Sequence, residues 1–272
     1  MKATRKILAL LLSALLAAAC LACAAEKSAA PETENDDWAY IEEKGTLIIG
    51  FTDYAPMNYY DESGEFVGFD TEFARALCEK LGLTPEFIEI DWDSKEFELS
   101  SRNIDCIWNG LTVTEERRAN MDFTNSYLIN RQVIVVKAER AAEFAGLDAF
   151  AGKTVAAEEG SAGAAAVAAD MPEASFIGVG AQTDALLEVM AGTSDAAVVD
   201  LTLADAMVGE GTDYAALAAL DITMMNEEYA IGLRVGSSAT ARFNEAMAEL
   251  YAEGFMAELA EKYELSELLI AA

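Results

Sequence analysis

Along most of this 272-residue chain, apolar β-branched runs alternate with segments of helical periodicity, and the alternation starts afresh partway along. Few folds accept such a pattern other than a pair of doubly wound α/β lobes. Strand-like runs at 46–51, 86–90 and 104–108 are separated by helical patterns at 70–81 and 94–101. The first helix is well specified, because Phe69, Phe73, Ala76, Leu77 and Leu81 share one face and Gly82 stands where a helix stops. A β-branched strand at 132–136 leads into the restart. Strands then fall at 153–157, 175–179 and 196–199, with a turn at Gly160-Ser161-Ala162-Gly163, an alanine-rich helix to Asp170 and another helix at 184–191. A strand at 228–234 returns to the first set, and helices over 239–263, interrupted at Gly254, close the chain. Two passages between lobes, near Val136 and near Asn226, imply a hinge and a cleft. The expected first lobe is 38–136 with 227–272, and the second is 137–226.

The first residues read as an export signal and not as folded structure. Lys2, Arg5 and Lys6 precede an apolar run over 7–22 that is too short and too early for a permanent membrane span. The segment 1–23 resembles a bacterial lipoprotein signal, with Cys20 and Cys23 as competing lipidation sites. Cys23 is favoured because it leads directly into a polar tether at 24–37. A lipid there would hold the protein at the outer face of a membrane with no span.

Past the signal the only thiols are Cys78 and Cys106, both in apolar periodic segments. Buried free thiols are the favoured reading over a metal site, since the chain has no histidine, and a disulfide between them stays open. A formal charge of -30, from 18 basic and 48 acidic residues, excludes nucleic acid and an anionic membrane surface as partners.

The stretch from Asn109 to Arg117 joins a strand exit, a glycine, a helix entry and an isolated arginine within nine residues. Thr114 suits an N-cap and Glu115 and Glu116 suit the first turn. Backbone N–H groups at the turn, the Thr112 hydroxyl and the Arg117 fork would together suit one small planar anion. On the plainer alternative, Thr114 merely caps a surface helix and Arg117 pairs with a neighbouring glutamate.

The chain resembles the polar amino-acid-binding proteins of bacterial ABC importers. The resemblance is carried by Tyr54-Ala55-Pro56-Met57, Gly64 with Gly68-Phe69-Asp70, Asp91-Trp92-Asp93, Gly110 to Arg117, Asp122-Phe123-Thr124 with Tyr127, Gly152-Lys153 with Gly160-Ser161, and Asp195 to Asp200, in the family's order over 46–263. It implies a two-lobed type II periplasmic-binding fold with two hinge crossovers and an extracytoplasmic, monomeric binding protein without a cofactor. The implied partners are an amino acid and an importer's permease. The family's α-carboxylate clamp falls on Thr112 and Arg117 with backbone at Asn109 and Gly110, and a second donor set on Ser161 and Ala162. Asp200 falls where the family holds the ligand's α-ammonium, although an aspartate there also suits a helix cap. Tyr54 and Trp92 match the two aromatics that sandwich the ligand side chain, and aromatics equally suit a core. Phe51 stands where some members place an aspartate, and Glu158 occupies a variable pocket position suited to a cationic or amide group. A rival reading on the same fold is an exported dehydratase of the cyclohexadienyl type, for which Glu158 is the one candidate general acid.

Overall fold

The computed structural model describes residues 36–272 apart from Thr223, Met225 and Ala272. The lipidation sites at Cys20 and Cys23, the signal segment and all of the tether up to residue 35 lie outside the described residues.

The chain runs through α1 (Asp37–Lys44), β1 (Thr46–Phe51), β2 (Tyr59–Tyr60), β3 (Phe66–Val67), α2 (Phe69–Leu81), β4 (Thr84–Glu89), α3 (Lys95–Ser100), β5 (Cys106–Ile107), α4 (Glu115–Arg118), β6 (Met121–Phe123) and β7 (Leu128–Lys137). It continues with β8 (Thr154–Glu158), α5 (Ala162–Asp170), β9 (Ser175–Val179), α6 (Gln182–Ala191), β10 (Ala196–Asp200), α7 (Leu201–Met207), β11 (Leu217–Ala219), β12 (Asn226–Tyr229), β13 (Gly232–Arg234), α8 (Ala239–Ala252) and α9 (Phe255–Lys262). The first sheet has the order β4-β1-β5-β13-β6, and the second β11-β7-β10-β8-β9 with β12 also paired to β7. Parallel pairs β1–β4, β1–β5, β8–β9 and β8–β10 make the doubly wound part of each lobe.

The hinge sits earlier than the sequence suggested. Strand β7 is continuous, yet it changes partner midway: Leu128–Arg131 pair with β12, whereas Gln132–Val136 pair with β10 inside the second sheet. Residues 132–136 therefore belong with the second sheet, because an unbroken β-branched strand carries no mark of where its neighbour changes. The returning segment is likewise two strands, β12 on the hinge and β13 in the first sheet, with Ala230 and Ile231 between them.

The tether boundary also moves. The Asp36 carboxylate caps α1 through the Ala39 N–H, and Asp37 is fully buried, accepting from Arg234 Nε at 2.8 Å and Ser237 Oγ at 2.7 Å. A charge with two such partners is part of the core and not of a linker.

Helix α2 begins at Phe69 and ends on left-handed Gly82, its apolar face closed by Phe73, Leu77 and Cys78. Phe73 packs edge-on against Trp108, with ring centroids 4.9 Å apart, and against Tyr127 at 5.5 Å. A second core of Ile134, Val136, Phe150, Val155 and Val198 lies beneath the other sheet. Cys78 and Cys106 are buried and unbonded, so the disulfide left open does not form, and burial pushes the Cys78 thiol up to about 12. No described helix is long and apolar enough to cross a membrane.

Candidate functional site

The first-lobe wall is made where β5 ends and the chain turns at Gly110. That residue has φ +57°, and a Cβ on it would lie 2.7 Å from Tyr54 Cε1, so glycine is required twice over. Thr114 caps α4, its hydroxyl accepting from the Arg117 N–H at 3.1 Å. The Arg117 guanidinium, only 7% exposed, turns away from Glu115 and Glu116; Nη1 donates to the Thr112 carbonyl at 2.7 Å and Nη2 to the Gly160 carbonyl at 3.2 Å. Capping and an inward-facing cation thus coexist.

The second-lobe wall follows β8. Gly160, at φ +71°, brings its Cα within reach of Asp93 in the first lobe, and Ser161 caps α5 by accepting from the Ala164 N–H at 3.0 Å. Glu158 is 3% exposed and takes a hydrogen bond from Thr52 Oγ1 at 3.3 Å. Burial and the neighbouring Asp200 push it up to about 8, against the pull of Thr52, Lys95 and Arg117.

Asp200 closes the far side. Its side chain does not cap α7 and instead accepts from Gln182 Nε2 at 2.6 Å, Gln132 Nε2 at 2.5 Å and Asn130 Nδ2 at 2.7 Å. Full burial raises it despite those three amide donors.

Trp92, Asn109, Gly110, Thr112, Arg117, Glu158, Ser161, Ala162 and Asp200 line one tight, partly open pocket, together with Gln182. Tyr54, expected on the same wall, is not among these lining residues. Its ring lies beneath Gly110, and its hydroxyl bonds to Thr202 and, at 2.8 Å, to Tyr229. A buried phenol must satisfy its O–H, and partners from α7 and β12 draw it under the wall. One further expectation needs correction. The Gly110 N–H donates to Asp70 Oδ2 at 2.7 Å, so that amide serves a buried carboxylate held at about 7 by burial. The Asn109 side chain is engaged with Thr52 and Asn58. Phe51 is buried, packed on Phe66 at 4.7 Å, and supplies no pocket group.

Sequence reasoning missed Gln182, Lys95 and Glu227. Lys95 is buried, donates to the Trp92 carbonyl at 3.0 Å and the Gly160 carbonyl at 2.8 Å, and sits 4.9 Å over the Trp92 ring. Burial and Arg117 lower it to about 8. Its spacing of three from Trp92 on a helical segment was the available signal. Glu227, on the hinge strand, accepts from Thr112 Oγ1 at 3.1 Å and from Asn130 and Gln132; only the register of β7 against β12 reveals that.

The pocket is electrically divided. Arg117 and the α5 N-terminus present donors on one side, while the Thr112 hydroxyl beside them donates to Glu227, and Asp200 and Glu158 present carboxyl groups on the other. That arrangement complements a small zwitterion more than a simple anion or cation. Among the described residues no cluster of side chains is suited to a metal ion.

Over 262 residues the chain is 29% identical to the arginine-binding extracellular protein ArtP of Bacillus subtilis (strain 168), covering 95% of this chain and 98% of that protein. It is 27% identical over 230 residues to the L-cystine-binding protein TcyJ of Escherichia coli (strain K12), covering 82% and 84%. Among solved structures it resembles an ABC uptake transporter substrate-binding protein of Streptococcus pneumoniae with bound histidine, with a TM-score of 0.77, 31% identity and coverage of 85% and 97%. Residues 47–266 match the signature of one family, and the chain belongs to the bacterial extracellular solute-binding proteins, family 3.

Proposed function

We propose that the protein captures a polar amino acid between its lobes and delivers it to an ABC importer. One observation carries this reading: Arg117 and Asp200, from different lobes, line the same pocket. The ligand's α-carboxylate would lie on Arg117, the Ser161–Ala162 turn and the Thr112 hydroxyl, which would turn to it from Glu227, and its α-ammonium on Asp200. Binding both lobes at once gives the ligand different contacts in closed and open forms, which is what drives closure. Trp92 and Glu158 then face the ligand side chain. Glu158 with Thr52 suits a cationic or amide head group, in keeping with the arginine-binding name of ArtP.

In the cell we place the protein at the outer face of the membrane, held by a lipid on Cys23 or Cys20 and acting as a monomer beside its permease. Cys23→Ser and Cys20→Ser variants, followed by membrane fractionation, test the anchor; release of neither variant overturns it.

A thermal-shift panel of amino acids on refolded, ligand-stripped protein tests capture. A ligand at about 100 times its Kd adds about 2.7 kcal/mol of stability. No response to any α-amino acid refutes the assignment of Arg117 and Asp200. One feature favours the dehydratase reading: Glu158 holds its proton at neutral pH, as a general acid must. The relatives' names describe binding proteins, and absorbance assays with cyclic dienoic acids decide between the two readings.

A further inference from the structure

At the Asp200 end of the pocket, two carboxyl groups share the same donors, Asp200 lining the pocket and the half-buried Glu227 lying beyond it. Asn130 Nδ2 lies 2.7 Å from Asp200 Oδ1 and 3.2 Å from Glu227 Oε2. Gln132 Nε2 lies 2.5 Å from the first oxygen and 3.0 Å from the second. Gln182 completes Asp200, and the Thr112 hydroxyl completes Glu227. All these donors are neutral. Among the described residues neither carboxylate has an ion pair, and the nearby Arg117 directs Nη1 and Nη2 to backbone carbonyls. The cluster is also short of donors, since Asn130 Oδ1 is buried without a hydrogen-bond partner. Other groups facing the pair are Glu158 from β8, which adds negative charge, and the Tyr54 and Tyr229 phenols.

We propose that Asp200 and Glu227 share one proton in the unliganded site, and that both together receive the ligand's ammonium group, the proton leaving to solvent as the ligand settles. This rests on the amino-acid reading above. Like charges held by the same two amides are unfavourable together, and a shared proton relieves them. An amino acid arrives as a zwitterion whose ammonium already carries its hydrogens, so the displaced proton passes to water. The pair moves from a charge of −1 to −2 opposite the incoming cation. Burial raises both groups, which is consistent with retention of that proton. Glu227 becomes a positioning residue as well: it holds the hydroxyl of Thr112 from the hinge strand, tying the carboxylate clamp to the element about which the lobes turn.

The test is calorimetric titration of L-arginine, with L-glutamine and L-histidine as further probes, into the full protein at about pH 6 in phosphate and in imidazole buffer. The dependence of heat on buffer gives the protons exchanged. Wild type is expected to release about one proton per L-glutamine, and a further one from Glu158 with the cationic L-arginine, with affinity rising up to about tenfold per pH unit while the pair stays protonated. With L-glutamine, Glu227→Gln should bind with near-zero release and a flat pH profile, whereas Glu158→Gln should remove only the further proton seen with L-arginine. Binding without proton release in wild type, or release abolished by Glu158→Gln and retained in Glu227→Gln, overturns the proposal while leaving amino-acid capture intact. Should no probe bind, capture itself fails, and the pair is then judged on unliganded protein. Wild type should lose stability between about pH 5 and pH 8 more steeply than Glu227→Gln, and equal slopes overturn the shared proton.

Discussion

Gly160→Ala separates the cost of a backbone conformation from the cost of closing the lobes. At φ +71° an alanine carries a left-handed penalty of about 1–2 kcal/mol wherever the lobes stand. Its Cβ would also lie 2.9 Å from both the Cα and Oδ1 of Asp93, and the Cα belongs to backbone that cannot rotate aside. That contact joins opposite lobes and exists only when they meet, so its cost falls on ligand affinity. Overpacking of this kind costs about 1–3 kcal/mol, which corresponds to a Kd weakened by about 5- to 150-fold. Gly152→Ala is the matched control, because Gly152 has φ +70° and no atom lies within 4 Å of the point its added methyl would occupy. Both variants should lower the thermal midpoint of unliganded protein by a few degrees. Only Gly160→Ala should weaken binding in calorimetry. Equal affinities for the two variants would refute the reasoning, since the Gly160–Asp93 approach would then play no part in the liganded form.

Arg117→Ala should weaken amino-acid binding by two or more orders of magnitude, about 2.7 kcal/mol or above, because the ligand carboxylate loses its charged partner; calorimetry measures it, and unchanged affinity sinks the clamp. Arg234→Met should destabilise the fold by about 3–5 kcal/mol in urea unfolding, since the side chain is 6% exposed and bonds to Asp37, Asp105 and the carbonyls of Leu99 and Ile104. Unliganded stability should fall as pH rises from about 4 to about 8. Asp70 is held at about 7 and Glu158 at about 8, with Asp200 and Glu227 also raised, so the folded state binds more protons than the unfolded chain across that window. Stability is therefore fully present below the unfolded carboxyl values and lost on approach to the folded ones. Lys95, lowered to about 8, acts above the window in the opposite sense. Thermal midpoints that rise over the same range would contradict these burials.

Legibility in the sequence followed how local the causes were. Helix α2 could be read because its apolar face, first turn and stop glycine lie within fourteen residues. Arg117 could be read because strand exit, cap and cation are neighbours in sequence. Tyr54 could not, since its placement is decided by hydroxyl partners 148 and 175 residues away. The hinge was misplaced for a related reason: the residues of β7 look alike on both sides of the point where β12 gives way to β10. Lys95 looks like one more exposed lysine on a short helix until the second lobe's Gly160 carbonyl covers it.

Charge shows the same limit most sharply. With 48 acidic residues and a net charge of -30, composition describes a solvated acidic surface and offers no reason to single out Glu158, Asp200 or Glu227. Burial singles out Glu158 and Asp200, and shared amide donors with Asp200 single out the half-buried Glu227. A carboxylate on the surface is screened and interchangeable with its neighbours, whereas one held behind the cleft must find donors, keep a proton or await a cation. Three such groups face the Arg117 guanidinium and, at Glu158, the buried Lys95 ammonium, which leaves the cleft with more carboxyl groups than cations. On the proposed reading an amino acid's ammonium would make good that deficit while its carboxylate met Arg117, so the same imbalance that costs the unliganded protein stability at neutral pH would favour capture.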